Sequence, residues 1–235
     1  MGIRVRVIKK IRNIKNRILR LFKTEEELFY ENFFIINPYW SSKEPNEDEL
    51  SRWNAINKFI EVNISLSENF KILDIGCGRG WLSNLLTQYG NVTGIEPVKK
   101  VVQYAKKLYP NVEFKVGSTQ NLLPKFKNNF DLIVCSEVLE HIPDDKKAIF
   151  ISEVSLLLKS KGYAIFSTPR ADIQEEWMSY AEPGQPVEDW ISEVSLEKLF
   201  IENDFKTIAL ERASISPRQN IDPLPIYQVW LFRKK

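Results

Sequence analysis

The residues with chemistry in them begin at Asp74, in the stretch DIGCGRG that ends at Gly80. Three glycines spaced two apart, Gly76, Gly78 and Gly80, permit a turn tight enough for backbone amides to reach a ligand. An apolar run precedes them and a helical segment starting near Trp81 follows, so that helix offers its first N–H groups to an anion. Two details argue against a dinucleotide. Trp81 stands where the third glycine of G-x-G-x-x-G belongs, and Asp74 at the strand end repels a pyrophosphate but welcomes an ammonium group. The ligand expected here carries both a carboxylate and an amine. Glu96 closes the next strand, where an acid accepts hydrogen bonds from both hydroxyls of a ribose. A third group, Glu137, Glu140 and His141, follows in SEVLEH. A histidine with its ordinary pKa of about 6.5 can take a proton from a hydroxyl, a role worth on the order of 10² to 10⁴ in rate. Its plainer role is to orient its loop by hydrogen bonding.

These groups need a scaffold that brings strand ends together. From Phe70 onward short apolar segments alternate with amphipathic ones: FKILDI, WLSNLLTQYG, NVTGIEP, VKKVVQYAKKLY, NVEFKV, the loop GSTQNLLP, FDLIVCS, DDKKAIFISEVSLLLKS and GYAIFST. That rhythm predicts crossover units and a parallel sheet buried on both faces. The expected fold is a doubly wound, Rossmann-like α/β sheet of about seven strands. It is mostly parallel, with an antiparallel C-terminal strand pair and helices on both faces. Residues 1–23 read as a basic amphipathic helix, 24–69 as an N-terminal lid and helical segment, and 70–235 as the main domain. In the helical segment, Leu50, Trp53, Ile56 and Ile60 mark one face. Beyond Pro169 the rhythm breaks for about twenty residues, a length usually kept for function; Trp177, Tyr180 and Trp190 make 170–190 a candidate substrate lid. The two cysteines, Cys77 and Cys135, both read as strand-end residues of the core and as reduced thiols.

Ribose plus amino acid describes S-adenosylmethionine, and at this point the sequence resembles the class I S-adenosylmethionine-dependent methyltransferases. Four blocks in order carry the resemblance: D-x-G-x-G-x-G at 74–80, the acid at Glu96, FDLIVCSEVLEHIPD at 130–144 and LLLKSKGYAIFSTP at 156–169. The resemblance implies that Asp74, Gly76, Cys77 and Gly78 hold the methionine part and that Glu96 and Pro97 hold the ribose. It implies that the 117–124 loop meets the adenine and that Ser136 lines the pocket. Many relatives carry an acid after the glycine of that loop; here Ser118 and Thr119 follow it, so Thr119 or Gln120 is the candidate acceptor for the adenine amine. Glu137 and His141 are the catalytic candidates.

The EVLEHIPD segment is similar to the methyltransferases of quinone biosynthesis and of other small molecules. The N/D-P-P-Y/F signature of adenine-amine methyltransferases is missing, and EEWMSY, an echo of protein arginine methyltransferases, follows the wrong strand. RNA ribose methyltransferases share E-x-x-E-H and bind a divalent metal with a second histidine. His141 is the only histidine of the 235 residues, which rules out the four-ligand version and leaves three ligands plus water open. The expectation is no metal, S-adenosylmethionine as cofactor and a small-molecule acceptor, lipid-linked, glycan or quinone-like, methylated at oxygen. A ribose methyltransferase and a non-catalytic cofactor-binding subunit are the rivals; nucleic acid is the less favoured partner.

Composition fits a cytoplasmic protein. Net charge is +2, yet residues 1–23 hold nine Lys or Arg and no acid, leaving 24 basic against 31 acidic residues in the remainder. With Val7, Ile11, Ile14, Ile18 and Leu21 at helical spacing, that segment suits an anionic membrane surface or a protein partner. It equally suits folding back on its own domain. No apolar core of a secretory signal is present in it.

Overall fold

The computed structural model describes residues 24–180, 185, 187–218 and 220–235; the expected helix of residues 1–23 lies outside them. Seven strands form one sheet: β1 (Lys71–Ile75), β2 (Asn91–Glu96), β3 (Glu113–Val116), β4 (Phe130–Ser136), β5 (Leu158–Pro169), β6 (Phe205–Ile215) and β7 (Leu224–Lys234). Their order is β3-β2-β1-β4-β5-β7-β6. The first five run parallel, and β7 lies antiparallel between β5 and β6. Strand order reverses between β1 and β4, so the crevice for a ligand opens beyond their carboxyl ends.

Alternation along the strands feeds two cores, as burial on both faces requires. Ile72, Leu132 and Val134 face one cluster, completed by Ala55, Ile56, Phe59 and Ile60 of α2 (Glu47–Asn63). Leu73, Ile133 and Cys135 face the other, filled by Phe150, Ile151 and Val154 of α6 (Asp144–Leu157) and by Leu196 and Phe200 of α8 (Glu193–Glu202). Among the described residues the remaining α-helices are α1 (Glu25–Glu31), α3 (Trp81–Leu86), α4 (Lys99–Leu108), α5 (Thr119–Phe126) and α7 (Gln174–Met178).

Three expectations need correction. Leu50 is 40% exposed, and the buried side of α2 carries Glu49 and Arg52 beside its apolar residues. Glu49 turns inward onto Arg79, and Arg52 into a cavity, as described below. Cys77 lies in the glycine turn beyond β1, not in a strand; it and Cys135 are buried free thiols. The GSTQNLLP stretch is not all loop: α5 starts at Thr119, because Ser118 and Asn121 form a capping box across its first turn. Pro124 inside α5 lacks the N–H that would reach back one turn, so the helix stays short.

Candidate active site

The glycine turn is built for close approach. Gly76 has φ 68° and Gly78 φ 49°, the left-handed region that glycine adopts without strain. A Cβ on Gly76 would lie 2.3 Å from Val138 Cγ2, and one on Gly78 would lie 2.8 Å from Phe34 Cζ. The turn is tied to the neighbouring strand by Cys77 N–H donating to Ile95 O at 3.0 Å. Asp74, 1% exposed, accepts a hydrogen bond from the Ser83 hydroxyl. Burial raises its pKa to about 7, against the pull of that hydroxyl. Glu96 accepts from Val98 N–H at 2.9 Å, and burial likewise raises it to about 7. Among the described residues, neither buried acid has a cationic partner to offset its desolvation.

Two cavities meet at this turn. The first is lined by Asp74, Cys77, Gly78 and Ser136 and is roofed by aromatic rings of Phe33, Trp40 and Tyr227. The second, of about 460 Å³, runs past Glu96, Pro97, Ser118 and Thr119 to the apolar wall of Ile142 and Phe150. Tyr30, Phe34, Gly76, Glu137 and His141 line both, so they mark the junction. Gln120 is the candidate that the fold does not bring in: it is exposed and lines neither cavity. Thr119 reaches the second cavity, but its hydroxyl donates to Glu153.

The sequence reading missed the contribution of α2. Arg52, 4% exposed, lines the first cavity, and its Nε and Nη1 make no hydrogen bond. Its guanidinium lies 4.5 Å from the centre of the Tyr227 ring, and Nε is 3.9 Å from Glu137 Oε1. A buried cation with unused donors is costly unless a ligand completes it. Glu49, one turn earlier, is held by fully buried Arg79 of the glycine turn. The charge pattern of α2 was the only signal in the sequence for Glu49 and Arg52.

At the junction, Glu137 holds φ 57°, unusual for a residue with a side chain. Its N–H donates to Ser167 O at 3.0 Å and its carboxylate accepts from Ser167 Oγ at 2.9 Å. Burial raises its pKa to about 8, with Arg52 opposing and Glu140 adding to the rise. Glu140 accepts from Thr168 Oγ1 at 2.9 Å. His141 donates from Nδ1 to Val187 O at 2.8 Å, which leaves Nε2 with its lone pair, 3.6 Å from Glu140 Oε1. Gln185 and residues 187–190 are drawn over the site by that bond, by Asp189 N–H to Glu140 O at 2.8 Å and by Tyr30 Oη to Gln185 Oε1 at 3.3 Å. Among the described residues, no three His, Cys, Asp or Glu side chains are grouped to hold a metal ion.

Comparison with known proteins agrees with this architecture. A ubiquinone biosynthesis O-methyltransferase of Hydrogenovibrio crunogenus is 31% identical over 145 residues, 57% of this chain and 56% of that one. The enzyme of the same name from Pelagibacter ubique is 40% identical over 106 residues, 43% of this chain and 42% of that one. The chain spans about half the length of the curated relatives it matches. In structure, a protein of Pyrococcus horikoshii matches with a TM-score of 0.66 at 18% identity, over 91% of this chain and all of that one. The 1,6-didemethyltoxoflavin-N1-methyltransferase of Burkholderia thailandensis, solved with S-adenosylhomocysteine, matches with a TM-score of 0.63 at 17% identity, over 89% and 87% of the two chains. These two likenesses concern the fold. The family model described as a methyltransferase domain matches residues 66–212, well over half of the sequence, and the chain belongs to that family.

Proposed function

We propose that the protein transfers a methyl group from S-adenosylmethionine to a hydroxyl of a small, quinone-like acceptor. The observation that carries the reading is the pairing, in one cavity, of Arg52 with unused donors and Asp74 with no cation beside it among the described residues. An amino-acid zwitterion is the ligand that satisfies both. In this reading Arg52 takes the carboxylate, Asp74 the ammonium group and Glu96 the ribose hydroxyls. The second cavity takes the adenine between Pro97 and the Ser118–Thr119 turn. The acceptor class follows the relatives named for ubiquinone biosynthesis.

The cofactor supplies a methyl group on a sulfonium, a strong electrophile. The chain's own residues do the rest. Tyr30, Phe34 and Trp40 exclude water from the junction, which strengthens the polar contacts inside. Aligning an acceptor oxygen in line with the methyl group accounts for much of the rate, since proximity alone lowers such barriers. His141 Nε2 accepts the hydroxyl proton, and Glu140 at 3.6 Å balances the imidazolium that forms. Glu137 accepts a hydrogen bond from the acceptor before transfer.

Calorimetry with S-adenosylhomocysteine on the wild type, Asp74→Ala and Glu96→Ala tests the cofactor site; binding is expected in the first and is lost in both variants. A wild type that does not bind sinks the reading. Labelled methyl transfer to ortho-dihydroxyphenols then tests the acceptor class. We further propose that the basic segment 1–23 holds the protein on anionic lipid, where a lipid-linked acceptor resides. Deleting it should weaken sedimentation with anionic vesicles; unchanged sedimentation overturns that part.

A further inference from the structure

A fully buried ion pair beside the site belongs to a residue that lines neither cavity, Arg79. Arg79 sits between Gly78 and Gly80 and is fully buried. Its Nη1 donates to Glu49 Oε1 at 2.5 Å and its Nη2 to Glu49 Oε2 at 2.7 Å, a fork matched to a carboxylate. Its Nε donates to Ser42 O at 2.5 Å, so the same side chain pins the residues leading into α2. Glu49 Oε2 also accepts Asn46 N–H at 2.9 Å in the capping box of α2. Both of its oxygens are therefore engaged.

Arg52 follows Glu49 by three residues and shares its buried side of α2. Acid and base at that spacing on a helix are neighbours and pair when nothing intervenes. Yet Nε and Nη1 of Arg52 are without a hydrogen bond, although Glu49 stands one turn away. Arg79 has the carboxylate that Arg52 would otherwise take.

We propose that Arg79 is a positioning residue: by occupying both oxygens of Glu49 it keeps the Arg52 guanidinium out of an intrahelical ion pair and free to receive the ligand's carboxylate. This rests on the cofactor reading above. It gives the position between the second and third glycines a task in amino-acid recognition, carried out without contact to the amino acid. It also accounts for two charged residues on the buried side of α2: one is the competitor, and the other is the group being protected.

The test is the ratio of affinities for S-adenosylhomocysteine and its decarboxylated analogue, S-adenosyl-3-thiopropylamine, which keeps the amine and lacks the carboxylate. Hydrogen bonds to a charged group at this depth set that ratio in the wild type at roughly tenfold to a hundredfold. In Arg79→Gln the freed Glu49 captures Arg52, and the ratio falls to within about threefold of one. In Arg79→Gln/Glu49→Gln the competitor is gone while the capping box survives, and the ratio recovers to about tenfold or more. Should Arg79→Gln fail to fold, Arg79→Lys carries the test, because one ammonium cannot occupy both oxygens and the ratio falls part of the way.

A purely structural role for Arg79 predicts the opposite pattern, with affinity for both ligands lost together and the double variant no better than the single one. Either that pattern or an unchanged ratio in Arg79→Gln overturns the proposal. A wild type that binds neither ligand removes the cofactor reading itself, an outcome distinct from a wild type that binds and discriminates while the variants do not differ.

Discussion

The two cavities that meet at Gly76 solve recognition in different ways. The first sets charge against charge: Asp74, Glu49, Arg52 and Glu137 line it, and only Glu49 is fully paired. The second is mostly a shaped apolar slot, with Ile75, Ile95, Val98, Val138, Ile142 and Phe150 beside the buried acid Glu96, and it shares Glu137 with the first. Desolvated charges reject any ligand that leaves them unpaired, whereas an apolar slot tolerates changes in the ligand more readily. Discrimination should therefore concentrate on the methionine side, and plain affinity on the nucleoside side. Methyl transfer belongs to neither end but to the junction between them.

The largest effect should follow from separating chemistry from binding. His141→Gln removes the Nε2 lone pair at the junction and should lower the turnover number by a factor on the order of 10². Affinity for S-adenosylhomocysteine should stay within about threefold, because no ligand charge depends on that ring. Equal losses in turnover and affinity would instead place His141 in the binding framework, as the holder of Val187. Next in size is the contrast between the cavities themselves. Arg52→Leu should weaken S-adenosylhomocysteine by roughly tenfold to a hundredfold and leave 5′-methylthioadenosine within about twofold. Glu96→Ala should weaken both ligands alike. Titrations of the two ligands against the two variants would break the comparison if Glu96→Ala discriminated and Arg52→Leu did not.

Some of this was legible in the sequence, and the pattern is physical. Asp74, Gly76, Gly78 and Glu96 sit on or just past strand ends, where fold geometry alone fixes their place at the crevice. Short-range spacing therefore revealed them. The parallel strands and the antiparallel end pair were legible for the same reason, through alternation and connection length. Arg52 and Glu49 come from a helix whose apolar positions admit two rotations a few tens of degrees apart. Choosing between them requires knowing that Arg79 waits in the glycine turn, 30 residues downstream of Glu49. Gln120 lies outside both cavities because the capping box turns that stretch into a helix whose exposed side carries it.

A smaller effect separates the cavities by pH. Burial raises the folded-state pKa of both Asp74 and Glu96 to about 7, well above the ordinary carboxylate range. Between about pH 4 and 7 the folded protein therefore binds protons that the unfolded chain has released. Their contribution to stability is complete below pH 4 and is lost as pH rises through 7. Thermal unfolding of the ligand-free protein should accordingly show a falling midpoint from pH 5.5 to 8. An ammonium group beside Asp74 favours its charged form, so binding the whole cofactor product releases a proton. Affinity for S-adenosylhomocysteine should rise with pH up to about 7, by at most tenfold per unit per proton released. For 5′-methylthioadenosine, which brings no ammonium group, the rise should be shallower. Parallel slopes for the two ligands would mean that Glu96, not Asp74, governs the titration.

The smallest expected effect tests the rotation of α2, on which the charged character of the first cavity depends. If the helix buried Leu50, Trp53, Ile56 and Ile60, Leu50→Ala would open a hole in the core and cost about 2–5 kcal/mol. The structure instead leaves Leu50 40% exposed and packs Ile56 with no exposed surface. Leu50→Ala should then change stability by less than about 0.5 kcal/mol and leave both ligand affinities as they are, while Ile56→Ala destabilises by about 2–5 kcal/mol. Urea unfolding of the two variants reads the difference directly. A costly Leu50→Ala would rotate α2 and carry Arg52 away from the cavity. The charge-based recognition on the methionine side would then lose its cation.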